Sequence, residues 1–272
     1  MCQLQPLPQN LEPTRESLHA YALAVAAVPR VHAAPHPRWW HVSLELTARG
    51  LVTDLMTLPD GGVFQIVMDL HAHDIVVETN RGEAARFSMK DGTSGKQMGA
   101  NLIEAVSALG LDGDYDTARF DNNDSRPYDE RVAADLFAVL SDAHQLLVRQ
   151  QVGLTGEVGP IQLWPHGFDI AFEWFATRQI ESETEGGTVT APAQLNFGFY
   201  PAGRAYFYSN PWPFESDLLL NVALPHGAAW HTDGWEGTVL YYDEVAGSPD
   251  GRDRVAEYAT AVYDATAPTL LA

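Results

Sequence analysis

The sequence predicts an α+β protein in which an antiparallel β-sheet carries helices packed on one face. Residues 39–89 and 160–245 contain segments in which apolar and polar residues alternate with a period of two, which is typical of half-buried strands joined by turns. Four other segments repeat their apolar residues every three or four positions, as amphipathic helices do. They span residues 13–28, 94–109, 128–153 and 252–266. Because strands and helices come in separate blocks, the pattern favours an α+β fold.

The elements of the first half follow from local signals. A helix over 13–28 is expected to begin near Thr14 and to end before Pro29, because proline breaks the hydrogen-bond ladder of a helix. The stretch WWHVSLEL is predicted to be a strand with Trp39 and His41 on one face. Two further strands should meet at a bend in LHAHD, and Ser94 is suited to cap the helix that follows.

In the second half, an acidic segment rich in turn-forming residues precedes a long helix. This segment, 112–131, is predicted to be a loop, and Asp129 near its end is suited to the N-cap or first turn of a helix that ends near Gly153. Alternating strands, an aromatic hairpin over 195–214 and a last helix complete the chain.

Size and charge set limits on domains and partners. A chain of 272 residues that is 46% hydrophobic can bury a substantial core, and we predict a single domain over 1–272. Thirty-six acidic and 16 basic residues give a net charge of −20, which opposes binding to nucleic acid or an anionic membrane. Neither a long apolar run nor a leader peptide is recognisable, so we expect a cytoplasmic protein. Cys2 is the only cysteine, which excludes a disulfide within one chain.

A short pattern occurs twice. Residues 71–78 read HAHDIVVE and residues 166–173 read HGFDIAFE, so that His, Asp, Ile and Glu recur at the same spacing. The pattern indicates duplicated halves over 35–110 and 129–266 as one interpretation. A chance match is the other, since Asp commonly opens a strand after a turn.

The order of motifs along the chain resembles a known family. The segments RWWHVSLELTARGLVT, LHAHDIVVETNRG, LWPHGFDIAFEWFATR and FGFYPAG follow one another as in an uncharacterised bacterial family known only as a domain of unknown function. This resemblance covers roughly residues 35–265. It implies one domain built from most of the chain, and it brings no activity that could be assigned to particular residues.

Histidines at strand starts are the first candidates for chemistry. If the chain is extended at His71 and His73, both side chains lie on one face, an arrangement that suits a Zn, Fe or Mn ion, with His166 as a third ligand. His41, Asp74 and Asp169 are the candidate catalytic residues, because a histidine or carboxylate near such an ion could move a proton. The alternative interpretation is a set of solvated polar turns.

The aromatic hairpin is the second candidate. Its alternation cannot bury every aromatic ring on one face, so Tyr206, Tyr208 and Trp212, with Arg204 in the turn, could line a groove for an organic anion or another small ligand. The sequence therefore predicts a small-molecule enzyme with a His/Asp site between two sheet halves, with metal dependence left open. The alternative is a non-catalytic module that binds a small molecule or a protein through this hairpin. Oligomeric state is not predicted.

Overall fold

The protein, described here as a computed structural model over residues 3–184 and 187–272, contains α-helices and antiparallel sheets. The helices in this range are α1 Leu11–His32, α2 Gly95–Ser107, α3 Glu130–Val152, α4 Ser216–Leu219 and α5 Gly251–Leu270. The strands are β1 Glu45–Thr47, β2 Gly50–Val52, β3 Met56–Thr57, β4 Val63–Asp69, β5 Asp74–Thr79, β6 Gly82–Ser88, β7 Glu157–Val158, β8 Gln162–Trp164, β9 Asp169–Thr184, β10 Gly187–Tyr200, β11 Tyr206–Trp212, β12 Ala229–His231 and β13 Gly237–Tyr241. The α+β prediction is confirmed.

The chain divides into two compact units, each made of segments that are distant in sequence. Unit 1 combines the N-terminal residues up to Pro6 with 142–161 and 170–272, and unit 2 combines 7–141 with 162–169. These boundaries differ from the predicted halves 35–110 and 129–266, and the duplication stays a prediction.

Unit 2 contains a sheet with strand order β1-β2-β4-β5-β6, and β3 pairs with β4. Alternation separates its two faces: Ile66, Met68 and Ile75 are fully buried on one. On the other, Arg49 bonds to Asp69 and Glu78 at 2.7 and 2.9 Å. The predicted alternation holds on the first face, whereas the second face carries both these polar groups and the buried Val67 and Val76.

Pro29 does not end α1, and this prediction was wrong. The helix continues to His32, and the Pro29 carbonyl accepts a hydrogen bond from Ala33 N at 3.0 Å. A proline inside a helix costs about 3 kcal/mol. Burying Leu18, Tyr21 and Val25 along the same helix stabilises it by about 1.5–3 kcal/mol per side chain, so packing outweighs the proline.

The strand predicted for WWHVSLEL begins later than expected. Trp40–Val42 forms a 3-10 turn, and β1 begins at Glu45. Trp39 has φ 60°, and the backbone N–H groups of Val42 and Ser43 bond back to the carbonyls of Trp39 and Trp40 at 3.1 Å. Because these N–H groups bond within the turn, they do not pair with a neighbouring strand.

The two copies of the repeated pattern share a local backbone conformation. His73 has φ 60° and Phe168 has φ 54°, and each immediately precedes the aspartate that opens β5 or β9. Left-handed backbone is uncommon outside glycine, so the shared feature is a specific turn. It occurs with a phenylalanine as well as a histidine, and it therefore belongs to the turn and is not evidence of catalysis.

The long helices begin as predicted. Ser94 Oγ accepts a bond from Gln97 N at 3.2 Å at the start of α2. Asp129 Oδ1 accepts from Arg131 N and Val132 N at 2.9 and 3.1 Å at the start of α3. Both side chains satisfy N–H groups that have no partner within the helix.

Unit 1 is built on a sheet with strand order β12-β13-β11-β10-β9-β7. Its buried aromatic face includes Phe197, Phe199 and Phe207, and α5 contacts β10, β11 and β13. Tyr258 of α5 and Thr238 of β13, both buried, share a 2.6 Å hydrogen bond that satisfies two hydroxyl groups inside this layer.

Candidate functional site

His73 lies in a tight turn, and this overturns the basis for pairing it with His71. Residues 70–73 form a turn between β4 and β5, so the chain is not extended there. The His73 carbonyl accepts from Met89 N at 2.9 Å, which fixes the backbone beside β6. The residue is only 9% exposed. Its ring is therefore a buried polar group that needs partners.

Tyr128 is the first of these partners. Its hydroxyl lies 3.0 Å from His73 Nδ1, and the two rings are 5.7 Å apart in an edge-on arrangement. Burial, reinforced by the negative charge of Glu130, raises the pKa of Tyr128 above its usual value near 10, so the phenol keeps its proton at neutral pH. When the proton of the neutral His73 ring is on Nε2, the Tyr128 O–H donates to Nδ1.

Glu130 lies on the opposite side of the imidazole. Its Oε2 is 3.7 Å from His73 Nε2, and its Oε1 is 3.9 Å from the Lys90 ammonium. The order phenol, imidazole, carboxylate is the order in which proton-transfer groups are oriented in many catalytic triads. Glu130 is 57% exposed, so solvent weakens its interaction with a charged His73.

A cleft adjoins this group through Tyr128. Its volume is about 510 Å³, which suits a small molecule. The lining residues are Pro8, Gln9, Asn10, Pro13, Thr14, Pro127, Tyr128, Asp129, Arg131, Val132 and Asp135. Two carboxylates and one guanidinium give the lining a small negative charge.

Helix α1 holds the segment that carries Tyr128. Ser17 Oγ donates to the Pro127 carbonyl at 2.6 Å, and Asp129 N donates to Thr14 Oγ1 at 3.0 Å. These bonds fix the residues on both sides of Tyr128 to one helix. The phenol is thereby positioned by two elements, α1 and the start of α3.

A larger surface groove in unit 2 has different chemistry. It measures about 760 Å³ and lies beside α2 and the 3-10 turn Thr117–Phe120. Its lining includes Ile103, Phe120 and an ion pair between Lys96 and Asp121 at 2.6 Å, without histidine or tyrosine. The groove could therefore hold an apolar ligand by contact, but its lining contains no acid–base pair like that of His73 and Tyr128.

The other predicted metal ligands have separate partners. His71 Nε2 lies 2.9 Å from the Ala48 carbonyl, and a carbonyl only accepts, so this nitrogen carries the proton. The ring of His166 packs edge-on against Trp164 at 6.0 Å. No contact among the described residues joins His71, His73 and His166 to one another. Within the described part of the chain, no group of three or more His, Cys, Asp or Glu side chains is placed to hold a metal ion.

The predicted catalytic carboxylates Asp74 and Asp169 are the first residues of β5 and β9. Asp74 bonds to Arg86 at 2.7 Å, so its charge is balanced. Asp169 is buried against Gly167, where a Cβ atom would lie 2.4 Å from Asp169 Oδ1. The Asp74 charge also acts on Tyr128, the hydrogen-bond partner of His73, and contributes to the raised pKa of that phenol.

His41 is buried in another part of unit 2. The His36 backbone N–H donates to His41 Nδ1 at 3.1 Å, so the proton of the neutral ring is on Nε2. Burial lowers the pKa of His41, and the Arg30 charge lowers it further. A neutral ring held in this way donates through Nε2, which does not support the proton-accepting role predicted for His41.

The predicted ligand-binding hairpin lies in unit 1. Arg204 stacks on Tyr241 at 3.6 Å and donates to both oxygens of Asp243 at 2.9 Å and to Glu244 at 2.8 Å. Tyr206 stacks with Trp235 at 6.2 Å. Tyr208 lies over Gly198, where a Cβ atom would meet its ring at 2.4 Å, and Trp212 is partly exposed. The aromatic residues form a layer, but the Arg204 charge is already balanced by two carboxylates.

Sequence reasoning missed Tyr128 and Glu130 as functional groups. The sequence predicts that Tyr128 and Asp129 begin a helix; Asp129 caps this helix, which starts at Glu130. The signal available was a tyrosine beside a helix cap, and nothing in it indicates a histidine 55 residues earlier.

Comparison with known proteins gives one match. The model of a family of unknown function (DUF5996) matches residues 5–270. The chain belongs to this family. No curated protein and no solved structure matches it. Among the described residues, no helix has the length and apolar character needed to cross a membrane.

Proposed function

We propose that this member of the family is an enzyme that transfers protons to or from a small polar molecule, with Tyr128 and His73 as the proton-transfer pair. The observation that carries the proposal is that Tyr128 belongs both to the bonded group with His73 and to the lining of the 510 Å³ cleft. A buried acid–base pair at a cleft is a common arrangement in catalytic sites.

The raised pKa of Tyr128 determines how the pair would work. The phenolate is disfavoured, so Tyr128 acts as a relay: its oxygen takes a proton from the substrate while its own proton passes to His73 Nδ1. His73 then carries the positive charge, and the Glu130 carboxylate 3.7 Å from Nε2 stabilises it. Reversal of the two transfers returns a proton to the product.

The cleft lining supports a neutral or cationic substrate. Asp129 and Asp135 contribute negative charge against the single positive charge of Arg131. The net charge of −20 over the whole chain also disfavours a strongly anionic substrate. Gln9 and Asn10 add amide groups that can bond to polar substituents.

The test is a search for turnover with matched variants. The purified protein is incubated with small-molecule extracts, and the compounds consumed are identified by untargeted mass spectrometry. Tyr128→Phe removes one hydroxyl from the proposed relay. Tyr115→Phe removes the hydroxyl that lies 2.6 Å from His32 Nε2, away from the cleft, and is the control.

Both substitutions delete one tyrosine–histidine bond, worth about 1 kcal/mol of stability, so the two variants are expected to lose a similar amount of stability. We expect the wild type and Tyr115→Phe to consume the same compound and Tyr128→Phe to leave it unchanged. Equal consumption by Tyr128→Phe, or no compound consumed by the wild type, contradicts the proposal.

The binding-module hypothesis has weaker support. It requires Arg204 to hold an organic anion, and a ligand would have to displace Asp243 and Glu244 from that guanidinium. The aromatic layer with Tyr206, Tyr208 and Trp212 remains a candidate surface for an uncharged ligand.

A further inference from the structure

The last turn of helix α1 carries Arg30, a cation with no hydrogen-bonded counterion among the described residues. The Arg30 Nε atom is shielded from solvent and has no hydrogen-bond partner among the described residues. Its guanidinium carbon lies 5.1 Å from the centre of the Trp39 ring. Burial, with Arg119 nearby, lowers the pKa of Arg30. A partly buried cation without a hydrogen-bonded counterion costs free energy that a bound anion would recover.

Trp39 presents an exposed aromatic surface beside this cation. It is 54% exposed, although a tryptophan of a folded domain is usually largely buried. The turn that carries it is fixed, since Trp39 N donates to the His36 carbonyl at 2.9 Å and φ is 60°. The indole is therefore held in solvent by the backbone, and its position does not result from a loose loop.

His41 completes the group with a second donor. Its ring is 5.6 Å from the Trp39 ring with an angle of 24° between the planes. Nδ1 accepts from His36 N, so the Nε2 atom carries the proton, and it has no partner among the described residues. Arg30, Trp39 and His41 thus place a guanidinium, an exposed indole and an N–H donor together.

The local charge is unusual for this protein. Arg30, Arg38 and Arg119 lie in this part of unit 2, and the nearby carboxylates are Asp54 and Asp116. Arg119 pairs with Asp116 at 2.8 Å, and the Asp116 charge also acts on Arg30 without a hydrogen bond to it. A chain with 36 acidic and 16 basic residues thus has a patch that is not acidic.

We infer that Arg30, Trp39 and His41 bind a small organic anion that carries a planar ring, such as an aromatic carboxylate. The anionic group is held by the guanidinium and the imidazole N–H, and the ring packs on the exposed indole. The site does not depend on the proton-transfer pair at His73, and it prefers a charge opposite to that favoured by the acidic cleft.

The experiment measures binding of benzoate by isothermal titration calorimetry. Cyclohexanecarboxylate, inorganic phosphate and benzylamine are the comparison probes, because they lack the aromatic face, the ring or the negative charge, respectively. Arg30→Gln removes the cation. Arg81→Gln, which removes a cation paired with Asp60 on a different loop of unit 2, is the matched control.

We expect saturable benzoate binding that Arg30→Gln weakens by about tenfold or more and that Arg81→Gln leaves unchanged. Trp39→Leu, at an exposed position, should weaken benzoate without affecting the fold, and it tests the site if Arg30→Gln does not fold. Absence of saturable binding, or equal binding by Trp39→Leu and the wild type, overturns the inference. Equal affinity for cyclohexanecarboxylate or phosphate overturns recognition of the ring.

Discussion

Unit 2 contains two hydrogen-bonded tyrosine–histidine pairs with almost the same ring separation and different surroundings. The rings are 5.7 Å apart in the pair of His73 and Tyr128 and 5.6 Å apart in the pair of His32 and Tyr115. The first pair has the Glu130 carboxylate behind the imidazole and a cleft beside the phenol. Among the described residues, no carboxylate bonds to the His32 ring, which forms a 2.6 Å hydrogen bond with Tyr115.

The difference shows that the bond between the two rings does not by itself indicate catalysis. A proton that moves through such a pair needs a source on one side and a stabilising charge on the other. Only the pair of His73 and Tyr128 has both among the described residues. The pair of His32 and Tyr115 satisfies two partly buried polar groups, which is a sufficient reason for its presence.

The largest expected effect separates the two histidines. His73→Gln should lower turnover by about 10²–10⁴-fold, the usual contribution of acid–base catalysis. His32→Gln should leave turnover unchanged. In a steady-state assay, the double variant with Tyr128→Phe should be no slower than His73→Gln alone, because the two residues act as one unit. Additive losses would show that they act separately.

A smaller effect on turnover is expected from replacing the Glu130 carboxylate. Glu130→Gln should slow turnover up to about fivefold, because an exposed ion pair contributes about 0.2–1 kcal/mol. Asp112→Asn, which removes the carboxylate that acts on Tyr115, is the control and should have no effect. A rate measurement on both variants at one pH decides this, and a loss as large as that of His73→Gln would assign Glu130 a direct chemical role.

The pH dependence of stability should reveal the lowered pKa of His32. Burial lowers the pKa of His32 below 6.5, so the unfolded chain takes up a proton at a higher pH than the folded one. The stability contributed by the neutral ring is present above about pH 6.5 and is lost as the pH falls below it. The thermal unfolding temperature should decrease as the pH is lowered from about 7.5 to 5.5, and this decrease should be smaller in His32→Gln than in the wild type. An identical decrease in the variant would contradict the assignment.

The smallest effect concerns the helix that positions Tyr128. Asp129→Ala removes the acceptor for two N–H groups of α3 and should cost about 1 kcal/mol of unfolding free energy. Ser94→Ala removes one longer bond from α2 and should cost less. Denaturant unfolding of both variants measures this, and a larger loss for Ser94→Ala would show that cap geometry is not the deciding factor.

Local signals predicted the elements well, and distant partners could not be predicted. Alternation identified the strands of unit 2, and capping side chains located the starts of α2 and α3. Pro29 was misjudged because packing along α1 outweighs a local breaker. WWHVSLEL was misjudged because alternation does not show that backbone N–H groups already bond within a turn.

The candidate site was predicted only in part for the same reason. His73 was selected, but its partner Tyr128 lies 55 residues away, and spacing along the chain carries no information about that contact. Arg204 is a predicted ligand-binding residue, but the carboxylates that balance its charge are 39 and 40 residues away. A single sequence shows which residues have useful chemistry, and the fold decides whether that chemistry is already satisfied.

The interleaved composition of the two units has a consequence for synthesis on the ribosome. Leu44 exchanges two backbone hydrogen bonds with Leu163, at 2.9 and 2.7 Å, so unit 2 completes this contact only after about 120 more residues have been made. At typical translation rates this takes on the order of 10 s. The Leu4 carbonyl, which accepts from Gly247 N at 3.2 Å, waits about twice as long. The nascent chain must therefore keep the backbone around Leu4 and Leu44 unpaired during this time without aggregating. A chain released after residue 141 contains neither unit in full.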